Sequence, residues 1–215
     1  MKIKSYKIVF LGTSGVAKTS LIQRFLNNKF DENEGSTLGA NYTGLYIQTN
    51  LGTIKIDLWD SSGQDKYKEL SKMFIRDSQC AILCYDITNK NTFEEIKYFH
   101  YENAKQILGD NSLIYLVANK IDLIKDIKLD REAKKFAEEK NIKYFKISAK
   151  TGKGIDSLFE DIANSLINKF KFKIDNSNTI LIQKLTEDGT KIKKLNMIQI
   201  FDNNYIINLR KYYKY

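Results

Sequence analysis

The sequence predicts an α/β fold: a six-stranded, mostly parallel sheet with one antiparallel edge strand and helices on both faces. Three observations carry this. Short apolar runs alternate with segments of helical spacing from residue 7 to residue 170. Two runs, 42–49 and 53–59, flank Asn50-Leu51-Gly52 and read as a hairpin, which supplies the antiparallel strand. The first apolar run passes through a glycine-containing loop straight into a helix, the strand–loop–helix order that phosphate-binding loops require.

Residues 7–11 form the first strand, and 19–28 place Leu21, Ile22, Phe25 and Leu26 on one side of a helix. Residues 29–41 are polar and read as a loop. After the hairpin come a polar loop, 60–65, and a short helix near 66–74. Residues 80–86 are apolar almost throughout and predict a buried strand. Its Cys80 and Cys84 point to the same face but lie roughly 13 Å apart, too far for a disulfide. They read as small core residues of a reduced, intracellular protein. A helix over 91–108 carries apolar Phe93, Ile96, Phe99, Ile107 and Leu108 and the single histidine, His100, which reads as structural. Then follow a buried strand, 113–118, a helix over 130–140 that Asp130 is placed to cap, a strand, 144–147, and an amphipathic helix, 155–170.

The first 170 residues therefore read as one domain. Residues 171–215 break the rhythm: nine Lys/Arg against four Asp/Glu place five of the nine net positive charges there, among many Ile, Leu, Phe and Tyr. That composition argues against simple disorder. Runs 180–185 and 191–195 flank the turn signal Asp188-Gly189, and 201–205 reads as a second turn. A small β-meander and a loosely ordered tail both fit. The net charge of +9 fits attraction to anionic partners, and it equally fits a Lys-rich composition with a solvated surface. The chain opens into a strand without a signal-peptide-like apolar region, and no apolar run approaches the ~20 residues of a bilayer span.

Four segments carry chemistry, each at the end of a predicted strand, where open α/β sheets bind ligands. Residues 12–19, Gly-Thr-Ser-Gly-Val-Ala-Lys-Thr, match G-x-x-x-x-G-K-[ST] except that Ala17 replaces the second glycine. Backbone N–H groups of Gly12, Ser14, Gly15, Val16, Ala17, Lys18, Thr19 and Ser20 form the cradle, Lys18 reaches the β- and γ-phosphates, and the Thr19 hydroxyl ligates Mg²⁺. In Asp60-Ser-Ser-Gly63-Gln64, the carboxylate holds Mg²⁺ through water, Gly63 offers an N–H to a γ-phosphate and Gln64 orients the attacking water. In Asn119-Lys120-Ile121-Asp122, Asp122 accepts from guanine N1–H and the exocyclic amine, a donor pair that adenine lacks. In Ser148-Ala149-Lys150, a backbone N–H meets guanine O6. An ATP-using kinase fails on the third segment. A nucleic-acid binder fails because the basic residues form no known reading motif.

With these motifs the chain resembles a Ras-superfamily small GTPase of the P-loop NTPase fold, most similar to the Rab family over about residues 5–170. Trp59-Asp-Ser-Ser-Gly-Gln-Asp65 resembles the Rab W-D-T-A-G-Q-E box, and Ser36-Thr-Leu-Gly-Ala40 resembles its S-T-I-G segment, with Gly39-Ala40 leaning towards endocytic Rabs. Phe74-Ile-Arg-Asp-Ser-Gln-Cys80 and Cys84-Tyr-Asp-Ile-Thr88 resemble Y-Y-R-x-A-x and V-Y-D-I-T. The resemblance implies a monomeric GTP/GDP switch with Mg²⁺, hydrolysing slowly and acting in vesicle traffic. It implies that Thr37 closes on Mg²⁺ and γ-phosphate and that Phe30 packs against guanine. Segments 34–42 and 61–74 become switches for effector, exchange-factor and activating proteins, and the location becomes cytoplasmic, peripheral on endomembranes.

The departures imply a second reading. A methyl group at Ala17 presses on phosphate or tilts the loop. One lost charge-assisted hydrogen bond costs about 1.5–3 kcal/mol, about tenfold to more than a hundredfold in affinity. A pseudo-GTPase scaffold, or a trap for exchange factors, is the alternative. Ser61 and Ser62 replace Thr-Ala, and Glu34 stands where relatives often carry Tyr. The chain ends Arg210-Lys-Tyr-Tyr-Lys-Tyr215 without the prenylated cysteine usual in Rabs. The basic tail then reads first as a docking or packing module and second as a peripheral membrane contact.

Overall fold

The computed structural model describes residues 5–49, 52–110, 112–123, 127–170, 199–201 and 204–208. Five strands, β1 (Ser5–Leu11), β3 (Gly52–Ser61), β4 (Cys80–Asp86), β5 (Leu113–Asn119) and β6 (Lys143–Lys146), run parallel in the order β6-β5-β4-β1-β3. β2 (Ala40–Thr49) pairs antiparallel with β3 from Ala40–Ser61 to Thr49–Gly52, closing the expected hairpin. This is the predicted six-stranded sheet. It continues beyond β2, where β8 (Asn204–Asn208) pairs in parallel with Leu45–Gln48 and β7 (Gln199–Phe201) pairs antiparallel with β8. Phe201 pairs with Asn204, and residues 202 and 203 of the turn expected at 201–205 lie outside the described residues. The strands expected at 180–185 and 191–195 lie outside the described residues.

Alternation along the strands divides the core in two. Ile8, Phe10, Cys80, Ile82 and Cys84 face α1 (Lys18–Asn27) and α6 (Ile155–Lys169), where Phe25 and Phe159 stack with centroids 3.5 Å apart. Val9, Leu11, Ala81, Leu83 and Tyr85 face α3 (Lys90–Glu95), α4 (Tyr101–Leu108) and α5 (Lys128–Glu139). Every residue of β4 is buried because helices cover both of its faces, so its sequence is a continuous apolar run. Both cysteines are free and buried, as expected, and burial pushes the Cys84 thiol up to about 12 and that of Cys80 further.

Two local expectations are corrected. The helix over 91–108 is not regular: Ile96–His100 form a π turn between α3 and α4. The extra residue in that turn brings His100 inward, buried, and leaves Phe99 only half-buried. Asp130 is not a cap, because α5 begins at Lys128 after the N-cap residue Ile127. Its carboxylate instead accepts from the Tyr144 hydroxyl at 2.7 Å and from Lys146 Nζ at 3.0 Å.

Candidate nucleotide site

The loops that follow β1, β3, β5 and β6 meet at one end of the sheet. The chain leaves β1 at Gly12, where a Cβ would lie 2.1 Å from the Cys84 carbonyl oxygen, so only glycine lets the loop cross β4. It then enters α1 through Ala17, whose backbone is left-handed at φ 65° and ψ 46°. For a residue with a Cβ that conformation costs about 1–2 kcal/mol. Ala17 therefore stands where glycine would pay no such cost.

Lys18 is buried, and its Nζ donates to the carbonyl oxygens of Gly12, at 2.7 Å, and Thr13, at 3.0 Å. Burial lowers its pKa against the opposing influence of Cys84, Asp60 and Glu95. An ammonium held by neutral carbonyls in a buried loop is set to gain from an anion. Thr19 Oγ1 donates to Asp60 Oδ2 at 2.6 Å and lies 2.9 Å from Thr37 Oγ1, which is itself 3.4 Å from Asp60 Oδ2. Asp60 Oδ1 is buried without a hydrogen-bond partner, and burial raises the Asp60 pKa despite hydrogen bonds from the two threonines. Three converging oxygen ligands and an orphaned carboxylate oxygen suit a small hard cation such as Mg²⁺.

Gly63 is pressed against the loop after β1: its Cβ would lie 2.3 Å from Ser14 N, and its carbonyl accepts from the Ser14 N–H at 2.9 Å. The Ser62 N–H donates to Gly39 O at 2.7 Å, so the loops containing Thr37, Asp60 and Ser14 touch one another. The Ser62 hydroxyl accepts from the Gln64 N–H at 3.3 Å, and the Ser61 hydroxyl donates to Phe10 O. Both replacement serines thus find partners within their own loop and β1.

Asn119 joins the two halves of the site. Its side chain is fully buried, donates to Val16 O at 2.9 Å and accepts at Oδ1 from the N–H groups of Lys120, at 2.7 Å, and Ala149, at 3.0 Å. Asp122 Oδ1 accepts from the Ser148 hydroxyl at 2.5 Å, which ties the two base-facing segments together. Val16 and Ser20 are buried, and a cleft of about 280 Å³ is lined by Ser14, Gly15, Lys18, Phe30 and Lys120. Glu34 lies on its rim, and Lys150 reaches across to Glu32 at 2.6 Å.

Sequence reasoning missed two supports and one orphaned hydroxyl. Arg24 donates from Nε to Ala149 O at 2.9 Å and also bonds Lys150 O, holding the Ser148–Lys150 loop from α1. Asp86 pairs with Lys120 Nζ at 2.7 Å; burial works against its charge, but hydrogen bonds from Lys120 and Thr88 outweigh that and lower its pKa. The Thr13 hydroxyl is buried without a hydrogen-bond partner. Arg24 and Thr13 fall at no fixed motif position, and Asp86, although it lies in the segment that resembles V-Y-D-I-T, carried no signal for its bond to Lys120.

A model of the Ras family matches residues 7–168. Human Ras-related protein Rab-21 is 38% identical over 166 residues, covering 76% of this chain and 72% of its own. The Ras-like GTP-binding protein RYL2 of Yarrowia lipolytica is 33% identical over 178 residues, covering 79% and 84%. The GTP-binding protein YPT52 of Saccharomyces cerevisiae is 31% identical over 198 residues, covering 79% and 85%.

Proposed function

Since the chain belongs to the Ras family and is most similar to its Rab members, we propose that it is a guanine-nucleotide switch of vesicle traffic, with residues 1–170 as its nucleotide-binding domain. The observation that carries this is the meeting of Thr37 with Thr19 and Asp60. Thr37 comes from the exposed 34–42 segment, so a ligand that those three oxygens share would couple nucleotide state to the protein's outer surface.

The Lys18 ammonium and the N–H groups of Gly12, Gly15, Val16, Ala17, Lys18, Thr19 and Ser20 bind the phosphates, while the Ser14 N–H is engaged by Gly63 O. Thr19, Thr37 and Asp60 would hold Mg²⁺, which when bound would supply positive charge against the phosphate oxygens. Gln64 orients water for a slow hydrolysis that an activating protein accelerates. Asp122 accepts from the guanine N1–H and amine through the oxygen lone pairs that Ser148 leaves open. The Ala149 N–H is engaged by Asn119, so guanine O6 shares it or takes that of Lys150. Phe30 covers the base.

The surface beside this site supports protein docking. Leu38, Tyr42 and Met73 are 71%, 51% and 61% exposed. Tyr42 meets Trp59 edge-on at 5.6 Å, and Trp59 stacks on Phe74 at 6.0 Å. This is the face for effectors, exchange factors and activating proteins. No helix among the described residues is long and apolar enough to cross a membrane, and we place the protein peripherally on endomembranes.

A second reading is a pseudo-GTPase scaffold or exchange-factor trap, favoured by the left-handed Ala17. Protein purified with Mg²⁺ and then denatured separates the two by the nucleotide it releases on anion exchange. Near-stoichiometric GDP or GTP is the expected result; an empty protein that takes up GDP weakly would favour the scaffold.

A further inference from the structure

Gln64 has little to hold it on its own. It leads into a 3-10 turn, Asp65–Tyr67, and α2 (Lys68–Ile75), of which only Ser71 and Ile75 are buried. The first residue of α2 supplies an anchor. Lys68 Nζ lies 2.6 Å from Glu95 Oε1 and 2.9 Å from Asp65 Oδ1, with the Phe99 ring centroid at 5.4 Å. Glu95 ends α3 and Phe99 belongs to the π turn that follows, so the anchor's far side is built by that irregularity. The same turn buries His100 with its Nε2 3.9 Å from the Glu95 oxygen and without a hydrogen-bond partner. Burial, with Lys18 and Lys68 nearby, keeps that imidazole neutral. Glu95 is therefore left with the Lys68 ammonium as its close charge partner. The Lys68 and Glu95 side chains are only 32% and 24% exposed, so the pair is less screened than a fully exposed pair such as Lys134–Glu138, at 70% and 67%.

We propose that Lys68 is a positioning residue for Gln64: its ion pair with Glu95, shaped by the π turn, latches the start of α2 to α3 and holds the glutamine in place for GTP hydrolysis. This rests on the switch reading above. Three residues separate Lys68 from Gln64, and the Tyr67 N–H donates to Gln64 O at 2.9 Å, so movement of the latch is passed directly to the glutamine backbone.

The test uses full-length protein loaded with GTP and Mg²⁺ at millimolar nucleotide, comparing the parent with Lys68→Met, Glu95→Gln and the reversed pair Lys68→Glu/Glu95→Lys. Each single variant is expected to slow single-turnover hydrolysis about fivefold to tenfold, with GDP dissociation within about twofold of the parent. The reversed pair is expected to recover most of the loss. Unchanged hydrolysis in both single variants overturns the proposal, as does an equal change in GDP dissociation, or a reversed pair slower than either single variant. Amide hydrogen exchange over residues 62–75 is read alongside. If the parent turns over no GTP, the switch reading fails. Faster exchange in Lys68→Met then still supports the latch, and exchange equal to the parent's overturns it.

Discussion

Ala17 is the one departure from the phosphate-loop motif, and its backbone is left-handed. Its side chain sits on a backbone that glycine adopts without cost, so Ala17→Gly relieves strain in the free protein and removes a Cβ beside the cradle. Titration with a fluorescent GDP analogue should show at least about tenfold tighter binding for Ala17→Gly; unchanged affinity would sink the idea. His100 makes the second residue-scale prediction. Burial, with the charges of Lys18 and Lys68, lowers its pKa to about 3 from 6.5. The unfolded chain therefore binds a proton that the fold refuses, and stability falls as pH drops from about 6.5 towards 3. Between pH 7 and pH 5 the parent should lose about 2 kcal/mol in urea unfolding, and His100→Gln should flatten that slope. At this scale the motif residues were legible in the sequence because their chemistry is tied to spacing. The roles of Arg24 and Asp86 were not: Arg24 lies outside the motifs, and Asp86, although it falls in the V-Y-D-I-T-like segment, reveals its bond to Lys120 only in the fold.

Among the elements, strands and helices followed from apolar periodicity, and their order from the alternation. The π turn was invisible because a 3.6-residue period assumes a regular helix; it assigns Phe99 to the core in place of His100. Asp130 misled for a related reason, since a cap residue's type is shared by any acid that accepts bonds from a neighbouring strand. The loops are the other lesson. Four segments far apart in sequence become one site because Asn119 bonds the first, third and fourth. Removing a fully buried amide leaves several backbone groups without partners, each costing about 1–3 kcal/mol. Asn119→Ala should therefore lower stability by about 2–4 kcal/mol in urea unfolding and weaken both GDP and phosphate-only ligands such as pyrophosphate. A loss confined to GDP would mean that Asn119 serves the base alone.

For the molecule as a whole, the six-stranded sheet and its binding end were legible because strand order and motif order reinforce each other. The pairing of β8 with β2 was not, since a short apolar run in a basic tail gives no hint of which edge it meets. Nucleotide and fold are linked by mass action at this scale. Raising GDP should lift the melting temperature of the parent, with saturation at lower concentration in Ala17→Gly; a melting temperature indifferent to GDP would contradict the site.

Cys80 opens β4 and Cys84 lies within it, and neither has any exposed surface. A thiol reagent reaches them only when the central sheet parts. The two sulfurs thus form a clock for rare opening events, started by adding the reagent and slowed by whatever keeps the sheet closed. Oxidants face the same barrier as the reagent, so while the sheet stays closed these thiols are sheltered from the redox state of their surroundings.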